Sequence, residues 1–504
     1  MTTSDVEVDE TILATRNAAK LGLSLLFTWG IAIAMRLFLP RYLGPDRFGS
    51  LSFADALTTT FFVALGLGVN VYVRKQVAVH ISHASDFIGG TFILRVGLTA
   101  LIFAAIAIMM RVTGQPAWMR HLVYLFAVAQ FFVHANATLS ALLHAKGSVG
   151  GMSVLAVVTK VVWAVGLVAA MVTRAGLWAF AVSYLASESI ETVVLYFLAR
   201  RHLGLVIRVD SRATKAMMLF SLPYYLNEFA TTAYGKLDVA LLAIAKSGRE
   251  IGWYAAASGI AALTLLATPL IGWVLMPTFA RAANRSRDEL FGRIRGCTNL
   301  ILTIAIPASL LICLGADVCI RIVFGAAFAP AALALRILSG TFVITYIAMV
   351  YAITLLMLER AWTLTCISIA GLVVNVTLNL LLVRPCLKLF GDGGGGAGCA
   401  LAMLGTELFV TTSMISVVGR RAFDRASVEI IGKSIAACAL AVMVDRIAVG
   451  LGAVRLVLDA AVYVTVVLLV GAVNTRELMA IARAALHGKA ALAATLDESP
   501  PGAE

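Results

Sequence analysis

Charged residues are scarce in this sequence. Only 13% of its 504 residues are Asp, Glu, Lys or Arg, whereas 61% are hydrophobic. Soluble domains carry about 25% charged and about 45–50% apolar residues. The mean hydropathy is +0.94, and apolar runs of about 20 residues recur from near residue 18 to near residue 474. This composition excludes a soluble enzyme and is typical of a chain with many membrane-spanning helices.

Strict alternation of polar and apolar residues is also missing. Segments such as 101–110 and 458–473 are apolar on all sides, whereas the strands of a transmembrane β-barrel alternate over about 10 residues. The seven cysteines are an odd number and show no Cys-x-x-Cys spacing. That pattern argues against a disulfide framework or a metal site.

Enzyme motifs are absent as well. There is no Asp-x-Asp, His-Glu-x-x-His, Gly-x-Ser-x-Gly or phosphate-binding loop. His80 and His83 stand three residues apart, but no directly adjacent carboxylate or third histidine completes a metal site. Asp392 and the four glycines after it could cradle a phosphate, yet no lysine follows them, and we interpret them as a flexible loop. The sequence predicts a protein that is not an enzyme, with no catalytic residue, no metal and no cofactor.

Apolar length predicts an all-α, polytopic membrane protein with fourteen spans. The predicted spans are 18–39, 49–72, 88–110, 121–143, 152–173, 177–199, 217–244, 252–275, 298–316, 331–357, 362–383, 397–418, 430–449 and 453–474.

Basic residues give the predicted orientation. The formal charge of +13 lies mainly between the apolar segments, so we interpret it as a topology signal and expect no nucleic-acid partner. The termini and even-numbered loops carry 21 basic residues and the odd-numbered loops 12. Both termini are therefore predicted in the cytoplasm. The first ten residues carry four acidic residues and no basic one, unlike a secretory signal, so we expect the first helix to be retained as a span.

Two halves of the chain show traces of an internal repeat. Asp46-Arg-Phe-Gly49 recurs in altered form as Arg249-Glu-Ile-Gly252, 203 residues later, and Glu188 in the sixth span matches Glu407 in the twelfth. Many transporters are built from two such related halves. We predict a cytoplasmic segment at 1–15, six-helix bundles at 16–210 and 211–420, two further spans within 421–475, and a cytoplasmic tail at 476–504.

Polar residues inside the spans are the candidate functional residues. A charge at the bilayer centre costs about 2.5–3.5 kcal/mol on insertion scales, so each needs a partner or an aqueous cavity. In the seventh span, helical spacing places Tyr224, Glu228, Thr231 and Asp238 on one face, which Asn227 and Lys236 widen. This face predicts a cavity lining; structural ion pairs among buried helices are the alternative.

The first span carries a thinner polar face that includes Lys20, and the repeat would place it opposite the seventh span. Cations outnumber acids among the deep residues, which hints at an anionic cargo, because Arg and Lys hold phosphate well. The predicted substrate-cavity residues are Lys20, Arg36, Asp55, Arg95, Lys160, Tyr224, Asn227, Glu228, Thr231, Lys236 and Asp238.

Several motifs resemble bacterial polysaccharide or O-antigen flippases of the multidrug/oligosaccharidyl-lipid/polysaccharide exporter superfamily. The matching stretches are RYLGPDRFG (41–49), GLGVNVYVRKQVA (66–78), KLDVALL (236–242), IGWYAAA (251–257), NVTLNLLLV (375–383) and GAGCALAMLGTE (396–407). The resemblance implies two six-helix bundles around a central cavity, here with two added helices, that rock to give alternating access. Some relatives have a deep arginine in the first span, whereas this chain has only Arg36, near the end of that span.

The resemblance also implies the cargo, an undecaprenyl-pyrophosphate-linked oligosaccharide that is turned across the bacterial inner membrane for surface polysaccharide and lipopolysaccharide biosynthesis. Implied partners are this polyprenyl-pyrophosphate-linked oligosaccharide, membrane lipids and other polysaccharide assembly proteins. Coupling to a sodium or proton gradient stays open, with Glu228 and Asp238 as candidate titrating groups.

Two alternative functions are left open. One is a multidrug or organic-cation antiporter of the same superfamily, which would call for an acidic cavity. The other is a membrane glycan polymerase or ligase; such enzymes usually carry a sizeable periplasmic loop, and no loop here exceeds about 20 residues.

Overall fold

The computed structural model describes residues 3–73, 84–146, 149–206, 208–245, 248–266, 268–419, 422, 425–448, 452 and 454–469. All regular elements in these ranges are helical, which confirms the all-α prediction. The α-helices are α1 (Thr3–Phe62), α2 (Val69–Tyr72), α3 (Ala84–Val112), α4 (Ala117–Ala145), α5 (Val149–Val172), α6 (Leu177–Leu203), α7 (Ser211–Ala245), α8 (Gly248–Leu263), α9 (Thr268–Arg285), α10 (Arg287–Leu314), α11 (Ala316–Phe324), α12 (Ala331–Met357), α13 (Ala361–Phe390), α14 (Gly394–Val418), α15 (Arg425–Ile447) and α16 (Arg455–Leu469).

Each of the fourteen predicted spans coincides with one or two of these helices. Helix α1 contains the first span and much of the second, because it bends sharply at Gly44, where φ is 71° and only glycine is unstrained. Ten of the helices within the described ranges are long and apolar enough to cross a bilayer. The chain is therefore a multi-pass membrane protein.

The second span is interrupted where α1 gives way to a 3-10 turn at Val63–Gly66 and then to α2. An interrupted helix leaves carbonyl groups that lipid cannot satisfy. The Arg95 side chain of α3 supplies one donor, because its Nε donates to the Leu65 carbonyl at 2.8 Å. The Tyr225 hydroxyl of α7 lies 3.4 Å from the Ala64 carbonyl and supplies another.

The eighth span is interrupted in the same way. The predicted single span 252–275 is two helices, α8 and α9, and the second has Pro269 in its first turn, where proline is tolerated but a continuous helix is not. The Tyr346 hydroxyl of α12 donates to the carbonyl of Thr264 at 2.8 Å. The second and eighth spans are equivalent in the proposed repeat, so both halves share a broken helix.

Helix packing follows the same repeat. In the first half, α6 packs along both α4 and α5; in the second half, α14 packs along both α12 and α13. Glu188 and Glu407, the matched pair of the repeat, are both buried. Asn136 of α4 donates to the Glu188 carboxylate at 3.0 Å, whereas Tyr234 and Thr345 hydrogen-bond to Glu407. The fold is thus two pseudo-symmetric bundles with α15 and α16 packed on α10.

An ionic network holds the two C-terminal helices to the second bundle. The Arg455 guanidinium at the start of α16 binds both carboxylate oxygens of Asp317, at 2.8 and 2.9 Å. It also lies 3.1 Å from Asp445 of α15, while Arg336 of α12 lies 3.5 Å from Asp317. These charges therefore join α15 and α16 to α11 and α12 where the helices end.

Helix α10 extends beyond the predicted ninth span at its start. Helix α10 begins at Arg287, eleven residues before the predicted position 298. The Ser286 hydroxyl caps this start by accepting from the Glu289 amide at 3.1 Å. Counting apolar residues missed these polar first turns, which the Ser-x-x-Glu pattern marks.

We predict that Arg95→Met destabilises the protein, because the Leu65 carbonyl and the Thr138 hydroxyl both lose their donor. The expected loss is about 1–3 kcal/mol. Thermal unfolding of the purified protein in detergent measures it. Arg111→Met, at an exposed position on the same helix, is the matched control. Equal midpoints for both variants would contradict the assigned role of Arg95.

Candidate functional site

One face of α7 is exposed near its middle. Glu228 and Gly235, seven residues apart and so on the same side, are exposed. A Cβ at Gly235 would meet no heavy atom within 4 Å. Tyr224 and Thr231 on this side are half-buried, and the Thr231 hydroxyl donates to the Asn227 carbonyl. The predicted polar face therefore keeps an open centre.

Lys236 joins this face of α7 to the other half of the molecule. Its Nζ lies 3.3 Å from Oδ2 of Asp55 in the second arm of α1, and the two side chains are 42% and 40% exposed. An ion pair this accessible contributes little stability. Its significance is its position, because it brings together two predicted site residues that stand 181 positions apart in the sequence.

Arg36 also reaches across between the halves. Its side chain is exposed, and its methylene groups lie along Gly259 of α8. No acidic side chain of the described residues lies within ion-pair distance of it. The backbone of Lys20 lies in α1, but its side chain is outside the described part of the structure.

Arg95 and Lys160 lie elsewhere. Arg95 is buried in the first bundle, where it supports the interrupted second span. The Lys160 ammonium lies 5.4 Å from the ring centroid of Trp163, near the acidic side chains Glu188 and Glu191 of α6. The described contacts of both cations thus lie within the first bundle.

Two further predicted site residues point into the second bundle. The side-chain amide oxygen of Asn227 accepts from the Ser368 hydroxyl of α13 at 2.7 Å. Asp238 is buried, with the Tyr254 hydroxyl donating to one carboxylate oxygen and the Asn379 amide to the other, each at 2.8 Å. A buried carboxylate held only by neutral donors is suited to take up a proton or a cation.

Sequence reasoning missed the partners of Asp238. Asn375 and Asn379 are both buried on α13, and the Asn379 amide donates to the Asn375 carbonyl. Two asparagines four residues apart in an apolar span share one helix face and need polar partners. That spacing was the signal that could have placed them opposite the acidic residue of α7.

The two halves meet tightly at one end of the molecule. At the bend of α1, Asp46 accepts from Arg249 at 2.9 Å. The glycine seam, formed by Gly49 of α1 with Gly248 and Gly252 of α8, lies beside this ion pair. A Cβ at Gly49 would overlap the Gly248 carbonyl, and one at Gly252 would overlap the backbone of α1. The two copies of the sequence repeat thus contact each other and close the end formed by the odd-numbered loops.

Glu250 anchors this closed end to the second bundle. Its carboxylate accepts from the backbone amides of Gly393, Gly395 and Gly396 at 2.8, 3.1 and 3.3 Å. The first turn of α14 therefore forms an anion cradle, as helix N-termini commonly do. The glycine run after Asp392 was predicted to be a flexible loop; it is instead a helix start that binds a carboxylate of the same chain.

Comparisons with known proteins agree with this architecture. A family model described as "Polysaccharide biosynthesis protein" matches residues 38–333, more than half of the chain. The probable low-salt glycan biosynthesis flippase Agl15 of Haloferax volcanii is 21% identical over 389 residues, covering 77% of this chain and 80% of that protein.

Solved structures share the fold. Lipid II flippase MurJ in an inward closed conformation superposes with a TM-score of 0.69 at 12% identity, covering 91% of this chain and 99% of that chain. A mutant of the Vibrio cholerae MATE transporter VcmN gives a TM-score of 0.57 at 14% identity, covering 81% of this chain and 99% of the transporter. These matches establish the two-bundle architecture.

We predict that Glu250→Ala lowers thermal stability, because three buried amides lose their acceptor while α14 loses the negative charge at its N-terminus. The expected loss is about 1–3 kcal/mol, measured by thermal unfolding in detergent. Asp392→Ala removes a neighbouring exposed carboxylate and is the control. If both variants have the melting midpoint of the wild type, the Glu250 carboxylate does not stabilise the start of α14.

Proposed function

Because this chain belongs to the polysaccharide biosynthesis protein family, we propose that it is a flippase for an undecaprenyl-pyrophosphate-linked oligosaccharide. The family resemblance drawn from the sequence motifs is confirmed. The proposed direction is from the cytoplasmic to the periplasmic leaflet of the bacterial inner membrane, with both termini in the cytoplasm.

The observation that carries the proposal is the Lys236–Asp55 pair, which is half-exposed and spans the two bundles. A flippase must bind an anionic pyrophosphate and then release it. An exposed pair offers a cation whose present partner can be displaced at little cost. Arg36 adds a second cation on the same interface between the halves.

Alternating access follows from the same contacts. The bundles touch at the Asp46–Arg249 pair and the glycine seam. They also touch at the other end, where the start of α7 packs on α2 and α3 and a Cβ at Gly68 would overlap Ser221. Glu228 and Gly235 lie exposed between these contacts. On the proposed orientation the seam closes the periplasmic end, whereas the contacts of α7 with α2 and α3 lie toward the cytoplasm and must separate to admit the cargo. Rocking of the bundles about their interface would separate the seam and open the other side.

The antiporter alternative is weighed by the charges of the cavity. The described contacts of Arg95 and Lys160 lie within the first bundle. Among the described residues, Arg36 and Lys236 balance Asp55 and Glu228. This balance does not favour the acidic cavity that cationic drugs call for, and the family match supports the glycan-lipid cargo. A flippase makes no covalent bonds, so we propose no catalytic residue.

Ion coupling is a further part of the proposal. Asp238 is the candidate coupling group, because it is buried among neutral donors of α8 and α13 and lies two residues from Lys236. Glu228, which is exposed, is the second candidate. Either a proton or a sodium ion on Asp238 would neutralise a buried charge beside the cavity.

The function is tested by the sidedness of lipid-linked oligosaccharide in cells depleted of the protein. A membrane-impermeant glycosidase is added to spheroplasts, and the fraction of protected oligosaccharide is measured. The proposal expects protected, cytoplasmic accumulation. Periplasmic accumulation of unpolymerised units would support a polymerase or ligase, and no accumulation would support the antiporter.

Cavity variants are expected to fail in the same assay. Lys236→Ala and Glu228→Gln should each raise the protected fraction several-fold, because each changes a charge on the open face of α7. Arg285→Ala and Arg287→Ala, in the turn between α9 and α10, are the matched charge controls. Normal flipping by both cavity variants at wild-type abundance would remove the role assigned to this face.

The seam variant Gly49→Val is expected to hold the closed end open, because the added side chain overlaps the Gly248 carbonyl. Accessibility is measured in a cysteine-free chain carrying Arg36→Cys, labelled from the periplasmic side with a membrane-impermeant maleimide. Labelling should rise several-fold over the parent. Gly97→Val is the control, since a Cβ there meets no heavy atom within 4 Å. Unchanged labelling would show that the seam does not close the cavity.

A further inference from the structure

A second cleft lies beside the closed end, in the first bundle. Its volume is about 440 Å³, and its walls come from the bend of α1, the start of α4 and the start of α6. It is separate from the Lys236–Asp55 pair and from every other residue predicted from the sequence as a cavity lining. On the proposed orientation it faces the periplasm.

Two arginines line this cleft without a counter-charge. Arg47 of α1 and Arg174, in the turn before α6, are both exposed and both line the cavity. Neither forms an ion pair or a hydrogen bond from its side chain to any part of the chain that the structure describes. Arg174 also has a φ of 52°, a left-handed conformation that is unfavourable for a residue with a Cβ.

The backbone adds positive potential at the same place. Helices α4 and α6 both begin at this cleft, with Trp118 and Leu177 lining it. Neither helix start has a side-chain cap or an acidic residue in its first turn. Their partial positive charges therefore reinforce the two guanidinium groups.

Aromatic rings complete the lining. Trp118 is 53% exposed. The Tyr42 hydroxyl donates to the Met171 carbonyl at 2.8 Å, which fixes its ring at the wall. An aromatic face beside guanidinium groups offers apolar contact to a polyol ring and bidentate hydrogen bonds to its anionic substituent.

We propose that this cleft binds a phosphorylated polyol, with Arg47 and Arg174 on the phosphate and Trp118 against the polyol. Two sources share that chemistry: a sugar phosphate of a glycan, or the glycerol phosphate head group of an anionic phospholipid. Arg47 follows Asp46 of the interbundle ion pair, so the occupant lies next to the contact that closes the molecule.

The test uses the full chain in nanodiscs. In phosphatidylcholine discs, glucose 1-phosphate is titrated by calorimetry; in mixed phosphatidylcholine and phosphatidylglycerol discs, bound phosphatidylglycerol is counted by native mass spectrometry. The variant R47Q/R174Q should weaken binding at least tenfold in one of the two arms. Arg111→Gln, an exposed arginine at the end of α3 outside the cleft, should bind like the wild type.

Binding in the calorimetric arm assigns the glycan source, and enrichment in the lipid arm assigns the phospholipid source. Trp118→Ala should weaken glucose 1-phosphate several-fold and leave inorganic phosphate unchanged. The proposal is overturned if R47Q/R174Q binds both ligands as tightly as the wild type does. The comparison requires that R47Q/R174Q and Arg111→Gln keep the wild-type melting midpoint. Because no transport is measured, this result is independent of whether the protein flips lipid-linked oligosaccharide.

Discussion

A backbone carbonyl that leaves a helix inside a bilayer must find a donor within the protein, because lipid offers none. Two spans of this chain are interrupted, and at both interruptions side chains from other helices donate hydrogen bonds to the freed carbonyls. Arg95 and Tyr225 serve the break after α1, and Tyr346 serves the break between α8 and α9. Tyr225 belongs to the opposite half from the break that it serves. The packing of α1 against α7 and α8 is therefore tied to satisfying the backbone as well as to burying apolar surface.

The repeat explains why the halves meet where they do. A pseudo-twofold axis brings equivalent segments of the two halves face to face. Asp46 and Arg249 stand 203 residues apart in equivalent motifs and are each other's ion-pair partners. Gly49 and Gly252 occupy the last position of the same motifs, and the absence of a Cβ at each lets the backbones approach closely. The seam is not the whole contact, because Phe48 beside it packs on Phe328 of the second half with ring centroids 6.4 Å apart. Separating the halves here therefore also exposes apolar surface.

Hydropathy was enough to predict the all-α class and the approximate positions of the spans, because bilayer thickness constrains every span independently. The repeat needed a different signal, the matched motifs at Asp46–Gly49 and Arg249–Gly252. Neither signal could predict which way each deep charge points. Arg95 and Lys160 are as deep as Lys236, yet their contacts lie within their own bundle. The position of a single charge within an apolar span predicts how deep that charge lies in the bilayer, but not which side of the helix faces a cavity. Predicting that side requires several polar residues at helical spacing. Pro269 marks the break between α8 and α9, and the Ser286–Glu289 cap marks the start of α10. Both are visible in the sequence, but a count of apolar residues does not detect them.

The near balance of charge at the open interface bears on how a flippase would release its cargo. A cavity of unpaired cations would hold pyrophosphate tightly in both orientations and so would not favour its departure. With Asp55 beside Lys236 at 3.3 Å, an arriving anion would replace a carboxylate that is already present, and the carboxylate would return when the anion leaves. The free energy of binding would then be the difference between the Lys236–anion pair and the Lys236–Asp55 pair, which is smaller than the energy of either pair alone. In the proposed mechanism, Arg36, which no described acid neutralises, would supply the remaining attraction for the anion.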